Sequence, residues 1–187
     1  MKTLSKYLCA VAAGTLLASG ANAFDVSATV SSTITVTETT PFSLGTLYVA
    51  ASDGDGGTTA AATFVINPST GATTATDGAG ADTSKFVSLG GAQVGVITVT
   101  GAQAFGSVTV DSSATPTDLV HESGNPALPV IDFTTLTTSP ADGATLTLDA
   151  NGDGDILVGG TFTADDSTTA AYADGVYTGT YDITVSY

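Results

Sequence analysis

The chain has 187 residues, with three lysine or arginine residues against 18 aspartate or glutamate and a formal net charge of −15. A protein this acidic cannot neutralise phosphates, which excludes nucleic acid and anionic lipid surfaces as partners. The single cysteine, Cys9, falls in a segment expected to be removed, so thiol nucleophiles and thiolate metal sites are excluded from what remains.

Lys2 and Lys6, the apolar stretch from Tyr7 to Leu17 and then Ala21-Asn22-Ala23 make the pattern of an export signal over residues 1–23. Cleavage is expected before Phe24. The apolar stretch is too short to span a bilayer, and no later one approaches the roughly 20 residues a membrane helix needs. The mature chain is therefore expected outside the cell or on its surface, without membrane insertion. A lipid anchor would need Cys9 at the end of the apolar stretch, and it lies within it. Removing 23 of 187 residues leaves 164, about one domain's worth. Lys85 is then the one cation against 18 acids, a formal −17. Such a charge holds copies apart at low salt and lets them pack when salt screens it. It is also the surface acidity of a marine or halotolerant organism.

From Phe24 the chain alternates. Phe24, Val26, Ala28, Val30, Ser32, Ile34 and Val36 fall on one face, and Asp25, Ser27, Thr29, Ser31, Thr33, Thr35 and Thr37 on the other. Period 2 over this length predicts a strand with one buried face. Residues 24–40 are read as an N-terminal strand that must fill a groove in its own domain or in a neighbour, and 41–187 as the domain body. Within that body strands are predicted near Phe42–Val49, Ala60–Ile66, Lys85–Leu89, Val94–Thr100, Ser107–Asp111, Pro129–Phe133, Ala144–Leu148, Ile156–Phe162 and Gly175–Tyr187. Their β-branched content and Gly/Asp punctuation predict an all-β sandwich of two antiparallel sheets.

Three local patterns bear on chemistry. His121, the only histidine, lies beside Glu122 in a Pro/Gly-rich stretch that reads as a loop, without partners for acid–base work. No Gly-x-Ser-x-Gly elbow is present, and Gly90-Gly91 is followed by neither a helix nor a lysine, so catalysis is not expected. Asp149, Asn151, Asp153 and Asp155 alternate with Ala150, Gly152 and Gly154 as in the first half of a calcium loop, but Leu157 and Gly160 occupy the ninth and twelfth positions, where further ligands belong. A glycine-rich hairpin is the favoured reading, with no cofactor and calcium as the alternative. At the C-terminus Tyr177, Gly179, Tyr181, Ile183, Val185 and Tyr187 alternate with polar residues, predicting an edge strand with one buried face.

The ending LTLDANGDGDILVGGTF…GVYTGTYDITVSY resembles that of the bacterial secreted family termed domain of unknown function 4402. PFSLGTL, ATFVINPSTGATT and GAQVGVITVTGAQAFGSVTV resemble its earlier segments. The resemblance implies an immunoglobulin-like sandwich exported by Gram-negative bacteria, without enzymatic activity, and some relatives are associated with fimbrial chaperones and ushers. The expectation is a filament or pilus subunit assembled by strand exchange. Phe24, Val26, Ala28, Val30, Ile34 and Val36 would supply the donor face, and Tyr177, Tyr181, Ile183, Val185 and Tyr187 the accepting edge. The competing expectation is a monomeric surface module for adhesion or carbohydrate binding, stabilised by calcium.

Overall fold

The computed structural model describes residues 33–187. The export signal and Phe24, Val26, Ala28 and Val30 of the expected donor face lie outside the described residues.

Among the described residues every regular element is a strand, and all the paired strands run antiparallel. In chain order these are β1 (Thr35–Thr40), β2 (Thr46–Ala50), β3 (Thr63–Ile66), β4 (Thr73–Thr76), β5 (Lys85–Gly90), β6 (Gly95–Thr100), β7 (Ser107–Asp111), β8 (Val120–His121), β9 (Ile131–Ser139), β10 (Thr145–Thr147), β11 (Gly154–Ala164), β12 (Tyr177–Thr178) and β13 (Thr184–Ser186). The all-β antiparallel sandwich expected from the sequence is the fold observed. One layer is a continuous sheet, and the facing layer is divided into β10-β7-β13, β8-β12 and β2-β5.

The long strand β11 organises the continuous sheet. It presents Ile156, Val158, Phe162 and Ala164 inward at alternate positions, as a strand with one covered face must. One flank pairs with β9 from Leu157 to Ala164. The other pairs first with β6, over Gly154 to Val158, and then with β3, over Gly160 to Thr163. The sheet continues outward from β6 to β1 and from β3 to β4. Gly159 marks the change of partner. A Cβ there would overlap the Ile66 carbonyl and lie 2.8 Å from the Pro68 ring, so a side chain has no room.

The inward face builds two adjoining cores. Phe64, Phe86, Leu119, Ile131, Phe133 and Phe162 fill one, and Val99, Val108, Val110, Leu148, Ile156 and Val158 fill the other. Phe42, Leu136 and Tyr181 touch both. Three-stranded β10-β7-β13 covers the second core, while the two-stranded pairs cover the first.

Several predicted strands change their bounds. The N-terminal strand occupies Thr35–Thr40 and pairs with β6 of its own sheet. Ile34 packs on the second core, so it and Val36 belong to the domain body and not to a donated segment. Val36 is 41% exposed, because β1 is the last strand of the sheet and nothing described overlaps its face. The C-terminal strand is interrupted. Tyr177–Thr178 pairs with β8 and Thr184–Ser186 with β7, since the chain crosses here from one facing sheet to another. The alternation survives the break: Tyr177, Tyr181, Ile183 and Val185 are half-buried between exposed neighbours, while Tyr187 is mostly exposed. Asp149 to Asp153 does not form a hairpin, since β10 and β11 belong to different sheets and the turn carries the chain between layers. His121 lies in strand β8, not in a loop.

Candidate functional site

Strand β2 pairs with β5, and β12 pairs with β8, but among the described residues no strand joins β2 to β12. Between them opens a cleft of about 630 Å³. Phe42, Leu44, Leu47 and Val49 form one wall, and Tyr172, Val176, Tyr177 and Tyr181 the other. Leu119, Ile131, Phe133 and Phe162 form its floor, so the cleft opens directly onto the first core. The walls run in opposite directions. Phe42 meets Tyr181 edge-on at 6.2 Å at one end, and beyond the other end Gly54 approaches Thr169. Along the first wall only β2 is extended, and the chain turns at Gly45 (φ 74°) between Phe42 and Thr46.

Aromatic contacts fix the shape of the floor. The Phe133 and Phe162 rings lie 4.4 Å apart, and Phe42 leans on both at 6.1 and 5.8 Å. The tyrosines of the far wall are anchored by their hydroxyls, as buried tyrosines usually are. Tyr172 Oη donates to the Val130 carbonyl at 2.9 Å and accepts from the Asp165 N–H at 2.7 Å. Tyr181 Oη donates to Glu38 Oε1 at 2.9 Å, tying the wall to β1. Burial raises the pKa of both phenols; the hydrogen bond from the Asp165 N–H opposes this at Tyr172, whereas Glu38 adds to it at Tyr181. These phenols therefore stay neutral and fixed, and with the apolar side chains around them they suit the burial of an apolar partner.

Next to Ile131 on β9, Asp132 belongs to an acidic cluster that does not line the cleft. Burial raises the Asp132 carboxyl to about 6, helped by repulsion from Asp118, Asp165 and Asp166. Because the folded pKa lies above the unfolded value of 3.8, this group favours the folded state fully below pH 3.8 and loses that contribution as pH rises through about 6. Stability is thus expected to rise as the solution is acidified from pH 7 to 4, and Asp132→Asn to flatten that rise in thermal melts. In the depressed groups Asp82 and Asp149 the sign is reversed and the window lies below 3.8, so the two effects separate. A wild-type melting temperature independent of pH between 4 and 7 would contradict the assignment.

Nearby, Asp53, Asp82 and Asp166 each place a carboxylate oxygen within 4.8 Å of the others. Ser52 Oγ lies between two of them, 2.7 Å from Asp82 and 2.6 Å from Asp166. Among the described residues this is the acidic group whose spacing suits a hard cation. No sequence motif announces it, because its members come from three distant segments. The alternating set predicted as the calcium alternative is used otherwise. Asp149 Oδ1 accepts from the N–H groups of Asn151 at 2.7 Å and Asp153 at 2.9 Å, and Asp155 accepts from Thr98 Oγ1 at 2.8 Å. Backbone hydrogen bonds from Asp153 and Asn151 hold the Asp149 carboxyl below its ordinary value, the behaviour of a turn cap.

Of the predicted accepting edge, Tyr177 and Tyr181 line the cleft, whereas Ile183 and Val185 pack on the second core and Tyr187 lies outside both groups. The opposite wall from Phe42 to Val49 reads as a strand in the sequence, but nothing in its pattern says that one edge lacks a partner. His121 Nε2 donates to the Asp174 carbonyl at 3.1 Å, and Nδ1 accepts from the Ser123 N–H at 3.1 Å. The imidazole packs edge-on against Tyr177 at 5.1 Å, which makes it a brace behind the cleft wall.

No family model, curated protein or solved structure matches the chain. The functional reading rests on the cleft and the sequence.

Proposed function

We propose that the chain is a structural subunit of an extracellular filament or pilus, with residues 24–32 of one copy lying in the β2–β12 cleft of the next. The cleft carries this reading. An extended segment placed there has a strand edge on either side for main-chain hydrogen bonds and an aromatic floor for alternate side chains. Phe24, Val26, Ala28 and Val30 supply such side chains, and Asp25, Ser27 and Thr29 would face solvent. An export chaperone presenting an extended strand would occupy the same cleft before assembly. The reading agrees with the exported, non-enzymatic sandwich implied by the resemblance to domain of unknown function 4402.

Chain reach favours a neighbour over self-filling. The domain begins at the end of β1 where Thr35 pairs with Thr100, while the cleft begins at Phe42, beyond the opposite end. The five steps from Thr35 to Thr40 cover roughly 17 Å. Nine residues span at most about 30 Å when extended. Returning alongside β1 would consume more than half of that reach, leaving roughly 13 Å for the cleft. A donor that goes to the next copy faces no such return, and the head-to-tail contact does not close on itself.

Negative-stain images of the mature chain provide the test. Val30→Asp puts a charge on the face to be buried and is expected to abolish filaments, whereas Thr29→Asp on the other face should leave them largely intact. If the two variants assemble alike, donation by this segment is wrong.

A further inference from the structure

Phe105 stands out twice. Its side chain is 74% exposed, and its backbone has φ = 54°, the left-handed region that bulky residues rarely enter. Glycine or asparagine would suit this turn better, so the domain keeps an exposed aromatic ring at a conformational cost. Its support is a pair of interlocked turns. The Phe105 N–H donates to the Asp149 carbonyl at 2.8 Å, and the Leu148 N–H donates to the Gly106 carbonyl at 2.9 Å. Gly152 presses against the Ala102 carbonyl, and the Asp149 carboxylate caps its own turn. The ring is therefore held out from a built platform at one end of the sandwich.

That end is also where the donor segment departs. The Thr33 carbonyl lies 2.5 Å from where a Cβ on Gly101 would stand, at the start of the loop that carries Phe105. We propose that Phe105 forms a second contact in the filament, docking at the mouth of the cleft that receives the donor from the same copy. This rests on the donor-strand reading and extends it. If about seven of residues 24–32 lie in the neighbour's cleft, the two remaining ones bridge only about 7 Å. The Phe105 platform is then drawn against the recipient. Tyr48 and Val176 line that cleft and remain 59% and 56% exposed, which gives the ring an apolar surface to meet. Covering all three removes apolar area that a lone copy leaves in water.

The test compares filament yield and monomer melting for the mature chain and three variants, in about 0.5 M salt so that repulsion between acidic copies is screened. Phe105→Gly removes the ring and relaxes the turn. It is expected to raise the monomer melting temperature by about 2–4 °C while lowering filament yield at least tenfold. Phe105→Ser should lose filaments without that gain, and Phe105→Tyr should retain them. Filaments undiminished in Phe105→Gly and Phe105→Ser would overturn this contact alone, provided that Val30→Asp still abolishes assembly. Filaments absent from the unaltered chain would overturn the donor-strand reading and this contact together.

Discussion

Deleting residues 24–32 is expected to leave a folded sandwich that forms no filaments. Strand β1 begins at Thr35 and pairs with β6, so the deletion stops short of the sheet. What it removes is the proposed filling of the β2–β12 cleft. A large apolar side chain brought fully out of water contributes about 1.5–3 kcal/mol. On that scale Phe24, Val26 and Val30 would together hold neighbouring copies durably, were they so buried. A peptide of residues 24–32 added to the truncated protein should raise its stability by about 2.7 kcal/mol at a hundredfold excess over its dissociation constant. It should not restore fibres, because it fills the cleft without linking two domains. Extending the deletion to Val36 is expected to cost further stability, since it also takes Ile34 from the second core and opens β1. Filaments from the shorter deletion, or no response to the peptide in melting curves, would contradict the proposal.

The largest loss of stability from a single substitution is expected at Phe162→Ala. The side chain is 1% exposed, lies 4.4 Å from the Phe133 ring and 5.8 Å from Phe42, and forms both the core and the cleft floor. Truncating a buried phenylalanine costs about 3–5 kcal/mol. That is a large share of the roughly 5–15 kcal/mol by which a domain is stable. Urea unfolding should show the midpoint falling sharply with the slope unchanged. Val36→Ala, on the exposed face of the outermost strand, should stay within about 0.5 kcal/mol of the parent. Equal midpoints for the two variants would show that the aromatic floor is not where the fold is held.

Much of the fold was legible because β-branched alternation is a local signal. Ser107–Asp111 was read with the bounds observed, and Lys85–Leu89 differs by one residue. The polar strand Thr73–Thr76 was not visible, since all four residues are exposed and none marks a buried face. The C-terminal alternation was read correctly as a buried face and wrongly as one strand, because alternation in burial says nothing about a change of pairing partner between Thr178 and Thr184. The same limit hid the cleft. Apolar residues at Leu47, Val49, Tyr177 and Tyr181 announce inward faces, but a missing strand between two edges is a property of topology that period cannot express. Asp53, Asp82 and Asp166 are brought together by three separate segments, and their spacing in the chain carries no trace of it.

If the β2–β12 cleft accepts an extended segment, backbone hydrogen exchange in assembled and unassembled protein should register it. Amide exchange reports which main-chain groups acquire hydrogen-bond partners. Protection is expected to rise on assembly along Leu44 to Val49 and Ala173 to Gly179, the two walls of the cleft, and to change little in β4. A filament in which those walls exchange as they do in the unassembled protein, with new protection confined to other edges, would contradict it.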